Sequence, residues 1–424
     1  MSTIRASLLL FAIALVSWSV SAQNTTNSPY TRYGYGRLAD QAFGNQKGMG
    51  GIGYGLRDSQ AINPMNPASF SQVDSMTFMV DVGVSAQIGW YNEEGNKMKK
   101  NNGKLNYVAM QFPLAKKTGM GFGFKPLSAV GYQYGQTDYI TTSAITETRS
   151  YTGAGGINQL YGALSYRFTK QLSLGVNVSY TFGNIYHDQQ TSNTQAASNT
   201  STSRDTLRVG GLTLDGGLQY TLPLKGGYFV VGLVYSPKMD IGKELRYGNF
   251  NYNSSTGILL DNDYIVYENV PVEMPETYGV GLSYKKFQQW QIGADFQYQK
   301  WADAQSPQIS TFRETNTFRN RMKINAGGEF IPNARSRHYF GRMSYRLGGN
   351  YSESYIQVKG SGYKEYGTGI GFGFPLLDNR SFVHVAFEYM KIQPDVAWLT
   401  DEQFFQCTVS FTFNEMWFLK RRLQ

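Results

Sequence analysis

The chain has 424 residues, a formal net charge of +9 at pH 7, a mean hydropathy of −0.38 and one cysteine, Cys407. A single cysteine excludes an intramolecular disulfide and a thiolate metal cluster. Aromatic residues make up 15% of the chain and glycine contributes 47 residues, which is typical of membrane β-barrels, whose strands face lipid on one side and water on the other.

An export signal is predicted at the amino terminus. Arg5 precedes an apolar run over residues 6–16, and small residues follow at 20–22, so residues 1–22 are expected to be a cleavable signal peptide. The alternative, a membrane anchor helix, would need about 20 apolar residues. Nucleic acid is not an expected partner of an exported chain. The positive charge is instead expected to meet anionic lipid or to line a lumen.

Residues 23–74 lack a clean periodicity and are predicted to form a plug, or hatch, inside a barrel. Gly48, Gly50 and Gly53 have the spacing of a dinucleotide-binding fingerprint, but no strand precedes them and no βαβ unit surrounds them. Glycines that let backbone pack closely in a confined space are the preferred interpretation. A disordered periplasmic leader is the alternative.

Two Asn-Pro pairs mark the end of this segment. Each proline lacks an N–H and pushes the preceding residue towards an extended conformation, so the stretch is neither helix interior nor central strand. It is predicted to be a rigid joint between plug and barrel wall. The residues of this joint are Asn63, Pro64, Asn66, Pro67 and Ala68.

From residue 75 to residue 413 apolar and polar residues alternate with the period of a β-strand. Short turns are predicted near residues 113–118, 169–171, 221–227, 285–289, 331–338 and 375–380. Longer polar loops are predicted at residues 92–103, 134–156, 187–204, 242–274, 302–315, 353–364 and 393–401.

Six short turns and seven long loops predict about 14 strands with both termini periplasmic. The predicted fold is therefore all-β: a transmembrane antiparallel β-barrel of about 14 strands with an N-terminal plug. A soluble sandwich or propeller is the alternative, but neither needs an apolar stripe rimmed by aromatics. Inward polar residues such as Asp295 and Gln297 are expected to satisfy one another or to hold the plug.

Pro126 interrupts the predicted third strand. A mid-strand proline removes a ladder hydrogen bond and belongs at an edge or a bulge. Because a closed barrel has no edge, Pro126 predicts a kink or a gap, and hence a lateral opening in the wall. The alternative is that the strand ends here and Pro126 begins a loop. Residues 414–424 are predicted to form a basic, aromatic tail at the barrel rim or in solvent.

Catalysis is not expected. His187 and His338 are assigned to a loop and a turn. His384 faces inward and could meet Ser410 of the next strand, as a hydrolase would require. A polar lumen places such pairs together by chance, so the chain is predicted not to be an enzyme. No cofactor is expected, and no residues have metal-ligand spacing.

Several segments of the sequence resemble those of a known protein family. The glycine-rich segment, the Asn66-Pro67-Ala68 element and about fourteen strands resemble the FadL/TodX outer-membrane transporters of hydrophobic compounds. Residues 28–34, 62–70 and 413–418 resemble FadL-like proteins of Bacteroidota. The resemblance implies an outer-membrane location, a hatch in the lumen, and hydrophobic substrates, possibly fatty acids, released sideways at a kinked third strand. Pro126 matches that kink.

The same superfamily includes PorV-like barrels, which shuttle cargo in type IX secretion. A secretion partner that binds cargo or translocon proteins is therefore the second hypothesis, and a structural barrel is the third. The chain is expected to act as a monomer, with outer-membrane lipid and a hydrophobic small molecule as its other partners.

Overall fold

The computed structural model describes residues 26–93, 95–140, 145–193, 199–286, 289–307 and 317–416. The predicted signal peptide and residues 417–424 of the predicted tail lie outside the described residues. The last strand ends at Met416, three residues later than the predicted wall.

Fourteen strands form the wall. They are β1 (Thr77–Glu93), β2 (Asn96–Ala115), β3 (Thr118–Ile140), β4 (Ile145–Arg167), β5 (Leu172–Asn193), β6 (Asn199–Leu224), β7 (Gly227–Ser236), β8 (Glu276–Lys286), β9 (Trp290–Lys300), β10 (Arg321–Phe330), β11 (Ser344–Glu353), β12 (Tyr363–Pro375), β13 (Phe382–Pro394) and β14 (Asp401–Met416). Each pairs with its neighbours in antiparallel register, and β1 closes the ring on β14 from Thr77 opposite Met416 to Asn92 opposite Asp401. The prediction of a 14-stranded antiparallel barrel is confirmed.

Shorter elements complete the description. Helical turns span Pro29–Arg32, Gly44–Lys47, Pro67–Gln72, Trp301–Asp303 and Tyr339–Arg342. Two-residue strands span Arg37–Leu38, Met239–Asp240, Glu273–Met274, Thr317–Phe318 and Ile356–Gln357. A hairpin of Gly242–Asn253 and Leu259–Glu268 adds to the long end of β6. No helix among the described residues is long and apolar enough to cross a membrane.

The pleat of the wall separates an apolar outer face from a polar inner face. On β4, Leu160 and Leu164 are 56% and 51% exposed, whereas Tyr161 and Ser165, the residues that follow them, are buried. Tyr166 and Phe168 end the outer face at the turn, with ring centroids 4.8 Å apart. An apolar band that ends in aromatic residues is the surface that lipid requires.

The described residues of three predicted loops lie in strands. In the ranges 92–103, 134–156 and 187–204 they continue the pairing of β1 with β2, of β3 with β4 and of β5 with β6, and β6 alone has 26 residues, more than twice the roughly 10 that a membrane crossing needs. The prediction was wrong because these ends are polar on both faces. They carry no apolar stripe, although the two strands of each of these hairpins remain paired with each other.

A lumenal segment, residues 26–76, lies inside the ring. Its partners sit on strands all around the wall. The hydroxyl of Tyr107 in β2 accepts from the N–H of Gly44 at 2.6 Å, Gln219 of β6 donates to the carbonyl of Leu56 at 2.9 Å, and Asn325 of β10 donates to that of Gly51 at 2.8 Å.

Inward-facing glycines let the segment touch the wall backbone to backbone. A Cβ at Gly232 of β7 would lie 1.8 Å from the carbonyl oxygen of Tyr54, and one at Gly119 of β3 would lie 1.9 Å from that of Phe70. No side chain fits at these distances, so glycine is the residue that the contact requires.

Candidate functional site

The strands β2 and β3 part along the wall. Their ladder runs from Ala115 opposite Thr118 to Val108 opposite Phe124. Beyond that pair residues 96–107 bond only to β1, and residues 125–140 bond to β4. The register of β1 against β2 shifts at Asn106, at the same level, as a β-bulge does. The closed ring therefore contains a local edge.

Pro126 lies two residues beyond the last β2–β3 pair. It sits opposite Asn158 of β4, and the register of β3 shifts immediately after it. A missing N–H is tolerated at an edge or a bulge. The alternative in which the strand ends at Pro126 is wrong, because β3 continues to Ile140. The role of Pro126 in a lateral opening stays a prediction.

The lumenal segment occupies the place that β2 leaves beside β3. Leu38 lies opposite Ser128 in antiparallel register. The N–H of Ala39 donates to the carbonyl of Leu127 at 2.8 Å, and the side chain of Gln41 donates to the carbonyl of Pro126 at 3.2 Å. Residues 37–41 thus cover the edge of β3 from inside the barrel.

A cavity of about 890 Å³ adjoins this edge. Its walls come from the lumenal segment, from Lys104 to Asn106 of β2, from Phe124 to Val130 of β3, and from inward residues of β9 to β12. A volume of 300–1,000 Å³ is the usual range of small-molecule sites. The cavity is the candidate site, and the parted strands form one of its sides.

Apolar clusters close the cavity above and below. On the side of the long hairpins, Tyr35, Trp301 and Tyr355 pack together, with Trp301 and Tyr355 centroids 4.6 Å apart. On the side of the short turns, Phe43 stacks on Tyr107 at 3.7 Å. Both clusters contain residues of the lumenal segment, Tyr35 in the first and Phe43 in the second.

The cavity lining carries an ion-pair network centred on Asp40. Its carboxylate lies 2.7 Å from the Lys47 ammonium and 3.3 Å from that of Lys323. Burial alone would raise the pKa of Asp40, but the two lysines outweigh it and hold that pKa well below its usual range. Burial alone would lower the pKa of Lys47, but Asp40 outweighs it and the pKa is raised. Both groups are therefore charged at neutral pH.

Two further lysines line the cavity beside the parted strands. Lys125 of β3 is buried, with its ammonium 5.6 Å from the ring centroid of Tyr161. Lys104 stands across the gap on β2. Within the described part of the chain neither lysine has a carboxylate within 4.0 Å. Two lysine side chains without an ion-paired carboxylate are available to an anionic group.

The joint residues hold the segment together and seat it. Asn66 is fully buried; its Nδ2 donates to the carbonyls of Tyr54 at 2.9 Å and of Leu218 in β6 at 3.1 Å, while its Oδ1 caps the turn at Pro67–Gln72 by accepting from Ala68 N–H. Asn63 donates to the carbonyl of Gly53 at 2.7 Å.

The three remaining joint residues have different neighbours. Pro64 lines the cavity. Pro67 and Ala68 lie against Gly175 of β5, where a Cβ would come within 2.6 Å of both. Whether the joint is rigid or moves stays a prediction.

Asp295 of β9 binds the segment through two backbone N–H groups. Its carboxylate accepts from the N–H groups of Gly53 at 2.5 Å and Tyr54 at 2.9 Å, and Gln297 donates to the hydroxyl of Tyr54 at 2.7 Å. Sequence reasoning identified both as inward polar residues that could hold a plug. It did not identify residues 37–41, because a two-residue strand leaves no periodic signal.

The histidines do not form a hydrolytic site in the described residues. His187 is buried in β5 with its Nδ1 2.7 Å from the Tyr132 hydroxyl, so its assignment to a loop was wrong. His384 lies opposite Ser410 on β14, as predicted, but its Nδ1 is 3.0 Å from the guanidinium of Arg346. A histidine that acts as a general base needs a hydrogen-bond acceptor at this nitrogen to orient its imidazole. The described residues also hold no group of three or more His, Cys, Asp and Glu that could bind a metal.

Solved structures that are similar to this chain include two toluene transporters. The chain is similar to the Pseudomonas putida toluene transporter TodX (TM-score 0.62, 15% identity, 90% of this chain and 100% of that chain covered). It is also similar to a Pseudomonas aeruginosa FadL homologue (0.60, 12%, 89% and 99%) and to the Ralstonia pickettii toluene transporter TbuX (0.59, 14%, 88% and 98%). At these identities the likeness defines the fold, which is of the FadL/TodX type.

The family is defined by sequence. The model of the BamG family matches residues 4–424, and the chain belongs to that family. No curated relative matches it.

Proposed function

We propose that this chain is an outer-membrane barrel that takes up hydrophobic small molecules through its wall. The observation that carries the proposal is the cavity of about 890 Å³, which adjoins the edge where β2 and β3 part. The fold supports it, because the similar structures include toluene transporters.

The route that this geometry favours leads sideways. Apolar clusters that include Tyr35 and Phe43 lie above and below the cavity, so passage along the barrel axis would break packed contacts. At the parted strands only residues 37–41 stand between cavity and wall edge, and they are held by a few hydrogen bonds to β3 and by the ion pairs of Asp40 with Lys47 and Lys323. Displacing this short stretch costs less than displacing the whole segment, which Asp295 and Asn66 fasten elsewhere.

The cavity lining favours a ligand with an anionic end, such as a fatty acid. Lys104 and Lys125 offer two amino groups without an ion-paired carboxylate at the gap, and Leu105, Phe124 and Leu127 beside them offer apolar contact. An amphiphile could leave its head group at the lysines while its chain passes between the strands into lipid.

Native mass spectrometry of gently extracted protein tests the proposal. We expect a co-purified hydrophobic ligand in the wild type, and Lys125→Gln should reduce its occupancy by roughly tenfold because a charge-assisted hydrogen bond is lost. Lys117→Gln, in the exposed turn between β2 and β3, is the matched control and should leave occupancy unchanged. An empty cavity that also fails to bind added oleate or toluene would contradict uptake of hydrophobic compounds.

A further inference from the structure

The hairpin of Gly242–Asn253 and Leu259–Glu268, here called the outer hairpin, stands outside the ring of fourteen strands. Its first strand pairs with residues 199–209 of β6 on one side and with its second strand on the other. In the described part of the chain the second strand pairs with the first alone. Its other side is therefore an open sheet edge.

The base of the outer hairpin is fixed. Ile241 donates its N–H to the carbonyl of Val272 and accepts from the N–H of Gly210, each at 2.8 Å. Ile241, Leu245 and Val272 are buried in the cluster that closes the lumen on the side of the long hairpins. The open edge is thus held in a defined position relative to the barrel.

The open edge is apolar. All ten residues of Leu259–Glu268 are exposed. Tyr264, Ile265, Val266 and Tyr267 follow one another, and each is 47–51% exposed, so both faces of the strand show apolar side chains to solvent. Natural proteins blunt such edges with lysine, proline or a bulge. The only register shift here is at Leu260, near the tip, and Asp261 to Glu268 is regular.

Two other stretches of open edge in the described residues are protected. The edge of β3 at Ser128 and Ala129 is covered by Leu38 and Arg37 of the lumenal segment. The edge of β2 at residues 96–101 carries Lys97, Lys99 and Lys100, which are exposed. The edge of the outer hairpin differs from both because it has neither a cover nor a basic residue.

Its charges are acidic. Asp261, Asp263 and Glu268 flank the apolar run, and within the described residues none of them has a basic group within 4.0 Å. The neighbouring Arg246 of the first strand is paired with Glu244 at 2.7 Å. An extended chain lying on this edge would gain ladder hydrogen bonds, and basic residues opposite the three carboxylates would gain ion pairs.

We infer that the edge Leu259–Glu268 is a docking site for an extended, basic β-strand of another protein, which would add to the sheet as its next strand. Apolar residues of that strand would cover Tyr264 to Tyr267, and lysine or arginine residues would face Asp261, Asp263 and Glu268. A second copy of this chain fits less well. Its basic edge at residues 96–101 offers a single apolar residue, Met98, to the apolar run.

Site-specific photocrosslinking in cells tests this inference. A benzoylphenylalanine at Tyr264 should give a discrete adduct with another protein, and mass spectrometry should map the crosslink to an extended segment that contains lysine or arginine. The same group at Tyr139 is the matched control, because Tyr139 is 65% exposed at the end of β3 and lies outside this edge. No adduct above that control would overturn the inference.

The charge argument is tested separately. The isosteric variant D261N/D263N/E268Q keeps the shape of the strand and should lower the adduct yield by about fivefold, as the loss of three exposed ion pairs implies. E93Q, at the exposed end of β1, should have no effect. An adduct with a second copy of the chain, an adduct with lipid alone, or a yield that the triple variant leaves unchanged would each overturn the inference.

Discussion

Leu38 of the lumenal segment lies directly opposite Ser128 of β3, in the place beside that strand from which β2 has parted. A stretch of residues that belongs to the interior thus completes the pairing of the wall. The same stretch lines the cavity. Movement of residues 37–41 would therefore open the cavity and expose the strand edge together.

A disulfide between these two positions should lock the wall. Directly opposed residues of an antiparallel pair lie about 4.5–5.5 Å apart, within the range that a disulfide spans. In a Cys407→Ala background, Leu38→Cys/Ser128→Cys should lose uptake of the co-purified ligand when oxidised and regain it when reduced. Thr137→Cys/Thr148→Cys joins another directly opposed pair, farther along β3, and should keep uptake in both states. Equal uptake by the oxidised and reduced Leu38/Ser128 variant would show that residues 37–41 need not move.

Pro126→Ala tests whether the proline keeps β3 apart from β2. Alanine supplies the missing N–H, and one ladder hydrogen bond contributes about 1 kcal/mol, so the open state should fall by about fivefold and uptake should slow accordingly. The rate is measured with labelled ligand in whole cells. Pro113→Ala is the control, because Pro113 lies on β2 opposite Gly119 of β3, at a register shift beside the short turn and away from the place where the two strands part. Unchanged uptake by Pro126→Ala would show that the proline has no role in opening the wall.

The Asp40 network predicts a pH dependence of stability. Because the pKa of Asp40 is held below its unfolded value of about 3.9, its stabilising contribution is complete above about pH 5 and is lost as the pH falls towards the folded-state pKa. Asp40→Asn leaves the buried Lys47 unpaired and should cost about 3 kcal/mol at pH 7. The raised pKa of Lys47 keeps that ammonium charged over the whole acid range.

Thermal unfolding in detergent between pH 3 and pH 8 measures this effect. The difference in Tm between wild type and Asp40→Asn should be largest at neutral pH and should shrink below about pH 4. Asp74→Asn changes an exposed carboxylate and should follow the wild type throughout. A difference that does not vary with pH would mean that the ionised carboxylate of Asp40 is not what stabilises the segment.

The strand count was predictable because it rests on a repeated signal. Alternation such as Leu160 to Phe168 recurs along the chain, and each short turn interrupts it, so an error at one turn would have changed the count by only two. The lengths of β3 to β6 were not predictable. Their outer ends are polar on both faces, and a polar strand has no periodic difference that separates it from a loop.

The site was only partly predictable for a related reason. Pro126 marks an irregular point through its own chemistry, since it cannot donate a ladder hydrogen bond. The strand that leaves the ladder and the residues that replace it depend on pairing across 90 residues, from Leu38 to Ser128. Likewise Asp295 was recognisable as inward, but its partners Gly53 and Tyr54 present only backbone N–H groups, which every residue except proline carries.

The glycines that contact the lumenal segment couple sequence changes in the wall to sequence changes in the segment. Gly232 and Gly119 have no side chain because Tyr54 and Phe70 place their carbonyl oxygens where a Cβ would be. A larger residue at either wall position requires the segment to take another course, and another course would leave the glycines facing empty space. Segment and wall are consequently constrained to vary as a matched pair, so a chimera that joins the segment of one family member to the wall of another must carry the glycines of its own segment.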